Sequence, residues 1–240
     1  MRRLLLLLLV LTAVGTGGRA GAEDAAKLLL PQAPLILFQD CPDCPQMVRL
    51  PSGLAMSRTH VTRAEFARFA TETGFSQSGW GCVWQQPGIP QGDKHPVICV
   101  SWDDAQKFVA WLSKKAGHPY RLPTAEEMRY AALAGETTPY WWGQDIGRGR
   151  AACNGCSPGK PPQGTAPAGS FAANAFGVLD AVGNAWEWTA SCHDQSCADR
   201  VLVGGSWANA PADLRAGHEI WNDPSIRSTT YGLRVVRDVE

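Results

Sequence analysis

The sequence predicts an α+β domain with a large share of irregular chain. Three observations carry that expectation: three segments open with a helix-capping pattern, a few short runs have strand composition, and the chain holds 25 Gly, 17 Pro and 10 Trp. That composition marks many turns and large aromatic packing rather than a helix bundle. A hydrophobic share of 45% against 18% charged residues excludes a disordered chain, which could not bury enough apolar surface to offset its entropy. Lys and Arg total 22 and Asp and Glu total 22. No basic excess is therefore available for a broad nucleic-acid face, which binds by displacing counterions.

The N-terminus reads as an export signal. Met1-Arg2-Arg3 is basic, residues 4–14 are apolar or weakly polar, and Ala20-Gly21-Ala22 offers small residues for cleavage. A helix of that apolar length reaches ~16 Å, too short for a hydrocarbon core of ~30 Å. Cleavage after Ala22 removes three Arg and no acid, leaving a mature chain of net charge −3 with no further run long enough to span a membrane. The expected location is periplasmic or secreted. Residues 23–45, rich in Ala, Leu and Pro, read as a leader or linker, and 46–240 as one domain.

Within that domain, Thr62 with Glu65 opens a helix ending before Gly74, with Phe66 and Phe69 on one face. A Thr or Ser hydroxyl there accepts from a free backbone N–H, and the acid three residues on returns the favour. Ser101 with Asp104 opens a second helix to about Lys115, before Gly117; Trp102, Ala105, Phe108, Val109, Trp111 and Leu112 form its apolar stripe. Thr124 with Glu127 opens a third, to about Leu133 before Gly135. After residue 136 the periodicity fades, and 157–169 reads as loop. Strands are expected at 96–100, 200–203 and 232–236. The Trp141-Trp142 pair, Trp186 and Trp188 are expected in the core.

Eight Cys in an exported chain read first as disulfides. Sequence neighbours are the expected pairs, Cys82 with Cys99 and Cys192 with Cys197. Cys41-Pro-Asp-Cys44 and Cys153-Asn-Gly-Cys156 are two CxxC units. They could close as disulfides, pool four thiolates on Zn²⁺, or act as redox pairs. The five His residues show no HxxxH or HExxH spacing, so a His-rich metal site is not expected. Ser206 follows two glycines but lacks the glycine two places on that a nucleophile elbow requires.

Several segments together, in order, resemble the formylglycine-generating enzyme family, the sulfatase-modifying factors. They are Pro96-Val97-Ile98-Cys99-Val100-Ser101-Trp102, Arg121-Leu122-Pro123-Thr124 with Glu127 and Tyr130, and Ala173-Asn174-Ala175-Phe176-Gly177. Gly183-Asn184-Ala185-Trp186-Glu187-Trp188, Val203-Gly204-Gly205-Ser206-Trp207 and Gly232-Leu233-Arg234 complete the set. The resemblance covers roughly residues 46–238 and implies an irregular, loop-rich fold related to C-type lectins.

The family's enzymes oxidise a Cys of a sulfatase-type substrate to formylglycine, using O₂ and a copper ion held by two Cys. Cu(I) prefers such soft thiolates. The corresponding positions here are Asn209 and Leu214, and no Cys follows Cys197. Neither copper binding nor formylglycine production by that route is expected. The resemblance also implies a calcium site built from the side chains of Asp180 and Glu187 and the carbonyls of Gly183 and Ala185, oxygen donors that suit Ca²⁺. The alternative is that Asp180 is a turn residue and Glu187 a partner for a nearby Arg. A second family calcium site falls near Lys160 and Ala152, and its ligands are lost.

Ser206, Asn209, His218 and Glu219 are the candidates for lining the family groove. The expected function is that of an exported binding or maturation factor for a secreted protein, peptide or small metabolite. The alternatives are an enzyme of divergent oxidative chemistry, with His218 or Glu219 as acid or base, and a lectin-like carbohydrate binder.

Overall fold

The computed structural model describes residues 34–78, 81–157, 159 and 161–239. The expected signal segment and Lys160 lie outside the described residues. Among the described residues no helix is long and apolar enough to cross a membrane.

Among the described residues, two four-stranded sheets and three α-helices make up the unit that begins at Leu35. The first sheet orders β1 (Leu37–Phe38), β2 (Met47–Arg49), β3 (Leu54–Ser57) and β8 (Val236–Asp238), all antiparallel. The second orders β6 (Glu219–Asn222), β5 (Arg200–Val203), β4 (Trp186–Cys192) and β7 (Tyr231–Leu233), with β7 parallel to β4. The expected leader is therefore partly sheet: Leu37 pairs with Val48 and Phe38 with Met47, and Arg237 Nε donates to Asp40 at 2.7 Å.

The three helices fall where their capping patterns place them. They are α1 (Arg63–Thr73), α2 (Trp102–Ala116) and α3 (Ala125–Leu133), each with a complete capping box. Gly74 and Gly117 close the first two in the left-handed conformation that spares glycine any Cβ clash. The third ends at Leu133 as expected, with its left-handed cap on Ala134 at φ 49° rather than on Gly135. The α1 and α2 stripes meet in an aromatic cluster. The Phe66 ring lies 5.1–5.7 Å from the rings of Phe69, Phe75, Trp84 and Phe108. Trp188 is fully buried beside it, and its indole N–H donates to the Val100 carbonyl at 2.9 Å.

Two strand expectations need correction. Residues 96–100 make only a bridge, Thr62 with Pro96. Cys99 at φ 60° turns the chain out of the extended region, and its disulfide to Cys82 holds it there. Residues 232–236 split between two sheets, because the chain crosses from β7 to β8 at Arg234, whose side chain is fully buried. All four disulfides join sequence neighbours: Cys41–Cys44, Cys82–Cys99, Cys153–Cys156 and Cys192–Cys197. The CxxC sulfurs bond to each other, which leaves no thiolates for zinc.

Candidate functional site

The hairpin of β4 and β5 ends in the turn Gly204-Gly205-Ser206. From there the chain runs through a loop into a short 3₁₀ helix, Pro211–Leu214. Gly205 is required at this point. It sits at φ 76°, and a Cβ there would lie 2.7 Å from Leu214 Cδ1 and 3.0 Å from the Asp213 carbonyl. Leu214 is fully buried against Gly183 and Gly205. Its side chain is core, not groove lining.

Asn209 is the hub of the loop. Its side-chain oxygen accepts from Ser206 Oγ at 2.5 Å and from the Trp186 indole N–H at 2.9 Å. Its Nδ2 donates to Asp213 Oδ2 at 3.3 Å, and its carbonyl accepts from Asn154 N at 2.9 Å. His218 completes the cluster. Its Nε2 lies 3.9 Å from Asp213 Oδ1, and its ring centroid is 5.8 Å from that of Trp186. Ser206 is buried, whereas Asn209, Asp213 and His218 are half-buried.

Of the four expected groove residues, Ser206, Asn209 and His218 therefore converge. Glu219 does not: it is exposed at the start of β6, opposite Val203, and its side chain makes no hydrogen bond or ion pair among the described residues. Asp213 belongs to the cluster and is not marked by any sequence motif; Trp186, expected in the core, is buried there and turns its indole N–H to Asn209. A legible signal was Pro211, a common first residue of a helix, which places Asp213 one turn beyond Asn209. Chemically, the cluster presents an imidazole and a carboxylate, both half-buried, over the buried Trp186 indole. Those two side chains stand 3.9 Å apart and can contact a ligand laid across the loop.

The residues expected to hold calcium do not fit that ion here, because every oxygen is already engaged. Glu187 is buried. Both its oxygens accept from Arg234 at 3.1–3.3 Å, and Oε1 lies 2.8 Å from His60 Nε2. Burial alone would raise its pKa; the nearby charges of Arg234 and then His60 outweigh it and hold the carboxyl at about 2. Asp180 accepts from the Gly169 and Phe171 amides at 2.6 and 3.0 Å. The Gly183 carbonyl accepts from Ala185 N at 2.9 Å, and the Ala185 carbonyl lies 3.1 Å from His60 Nε2. A guanidinium stands where a second cation would be repelled. Among the described residues no group of three or more His, Cys, Asp or Glu is placed to hold a metal ion.

Asp180 acts instead as a backbone clamp, at φ 48°, alongside two buried asparagines. Asn174 Oδ1 accepts from the Phe176 and Val178 amides and its Nδ2 donates to the Ala131 carbonyl. Asn184, at φ 71°, makes both hydrogen bonds of the Ala166 backbone, at 2.9 and 3.1 Å. These three residues satisfy loop amides and carbonyls that no sheet ladder reaches.

Short sheets, capped helices and loops pinned by buried Asn and Asp define the class: a loop-rich α+β domain of the formylglycine-generating-enzyme type. A model of the Sulfatase-modifying factor enzyme 1-like domain matches residues 18–239, and the chain belongs to that family. It is 36% identical over 174 residues to the Inactive C-alpha-formylglycine-generating enzyme 2 of Bos taurus, covering 63% of this chain and 54% of the relative. It is 28% identical over 281 residues to Hercynine oxygenase of Mycolicibacterium smegmatis, covering 92% and 63%. Among solved structures, PvdO from Pseudomonas aeruginosa superposes with a TM-score of 0.76 at 30% identity, over 86% of this chain and 99% of that one. The chain spans about half the length of the bovine relative.

Proposed function

We propose that this protein is an exported binding or maturation factor that takes a secreted peptide or small metabolite against the half-buried side chains of Asn209, Asp213 and His218. One observation carries the reading. The two positions where the family's enzymes place copper thiolates are committed elsewhere, Asn209 to Ser206, Trp186 and Asp213, and Leu214 to the core. Similarity to a bovine relative named inactive supports it. The signal-peptide pattern and four disulfides support an oxidising compartment. The test is to supply the purified protein with Cu(I), O₂ and a sulfatase-type Cys peptide. No formylglycine, by mass spectrometry, is the expected result; stoichiometric copper with formylglycine product would overturn the reading.

A second reading, an enzyme of different oxidative chemistry, is favoured by His218 and Asp213 facing each other beside an indole. It requires that His218→Ala and Asp213→Ala abolish complementation of a deletion strain. Full complementation by both variants would remove it.

A further inference from the structure

Helices α1 and α2 frame a surface cleft of about 790 Å³, within the ~300–1,000 Å³ usual for small-ligand sites. Its elements are not those of the cluster around Asn209. Phe69, Phe75 and Trp111 form its apolar surface, with Phe69 4.9 Å from Phe75 and 5.7 Å from Trp111 between ring centroids. Three lysines rim it, Lys107, Lys114 and Lys115, against one acid, Glu72.

That acid is already spent. Glu72 accepts from Lys115 Nζ at 2.5 Å and from the Trp111 indole N–H at 2.9 Å, and these bonds hold its carboxyl below the usual range. Lys107 and Lys114 have no carboxylate partner among the described residues. They stand seven residues apart on one helix, two turns and ~10 Å along the same face. The Lys107 ammonium lies over the Phe75 ring, 5.8 Å from its centroid. The cleft thus joins aromatic faces to two uncompensated positive charges, while the whole chain carries no basic excess.

We infer that this cleft binds an anion with a flat aromatic body, of the aryl carboxylate class. The ring packs against Phe75 and Trp111, and the carboxylate is held by Lys107 or Lys114. The inference is independent of the groove function proposed above.

Titrating the ¹⁵N-labelled protein with 2-naphthoate tests it, with neutral 2-naphthylmethanol as the matched control. Amide shifts confined to residues 69–75 and 107–115, with a Kd of about 1 mM or tighter, are expected. The double variant Lys107→Glu/Lys114→Glu, whose exposed positions leave the core intact, should bind about tenfold more weakly with an unchanged circular dichroism spectrum. The inference fails if naphthoate produces no shifts there, if its shifts centre on His218, if the alcohol binds equally well, or if the double variant binds like the parent.

Discussion

The region of α1 and α2 and the region from Ala134 to Ala185 solve the same problem by opposite means. The first buries aromatic side chains: Phe66 and Phe108 are fully buried and their rings lie 5.7 Å apart. Its backbone groups are satisfied within the helices. The second has no helix or named strand among the described residues, and its backbone is held by the side chains of Asn174, Asp180 and Asn184. The lesson is where fragility lies. Losing a cap in the helical region costs one hydrogen bond at a helix end. Losing a buried clamp in the loops strands several backbone groups at once.

The largest effect should come from the ion pair that joins the loops to the sheets. Arg234 binds Glu187 and also the carbonyls of Ser57 and Leu179. Arg234→Ala should cost about 3–5 kcal/mol, because it leaves the buried Glu187 carboxylate with His60 as its one remaining charged neighbour among the described residues. Urea unfolding measures this; a loss below 1 kcal/mol would mean the pair does not hold the two regions together. If the variant fails to fold, Arg234→Lys, which keeps the charge, should recover part of the stability.

Acid should weaken the same link. The Glu187 pKa is depressed from 4.5 to about 2 by folding, so the stability it contributes is present at neutral pH and is lost as the pH falls from about 4.5 toward 2. The loss is on the order of 3 kcal/mol. Urea unfolding at pH 7, 4 and 2.5 should show it, and Glu187→Gln should flatten that pH dependence.

Asn184→Ala sharpens the contrast further. It removes both hydrogen bonds to Ala166 and places a Cβ-bearing residue without a compensating amide at positive φ. The expected cost is about 2 kcal/mol. Asn184→Gly relieves the backbone strain and should recover only part of that loss; full recovery would show that the amide contacts contribute nothing. The smallest effect belongs to the helices. Thr124→Ala, which deletes the α3 cap, should cost about 1 kcal/mol by thermal unfolding.

How much was legible in the sequence follows the range of each interaction. The helix starts were legible because a capping box is closed by residues three apart, within one turn. Strands β2 and β3 were not, since Met47, Val48 and every residue from Leu54 to Ser57 are buried and show no alternation to read. At the candidate site, Asn209 was recognised as a replaced position, but its bond to the Trp186 indole spans 23 residues.

The amino-acid sequence by itself determined the three helices and their caps, the pairing of neighbouring Cys82–Cys99 and Cys192–Cys197, and membership of a loop-rich α+β family. Tertiary structure alone decided that Leu214 is core, that Glu219 stands apart from the His218 cluster, and that the oxygens of Glu187 belong to Arg234 and His60. The physical reason is distance along the chain. A cap or a short disulfide loop is fixed by local geometry, whereas the partner of a buried carboxylate is chosen 47 residues away, once the two sheets have brought it within reach.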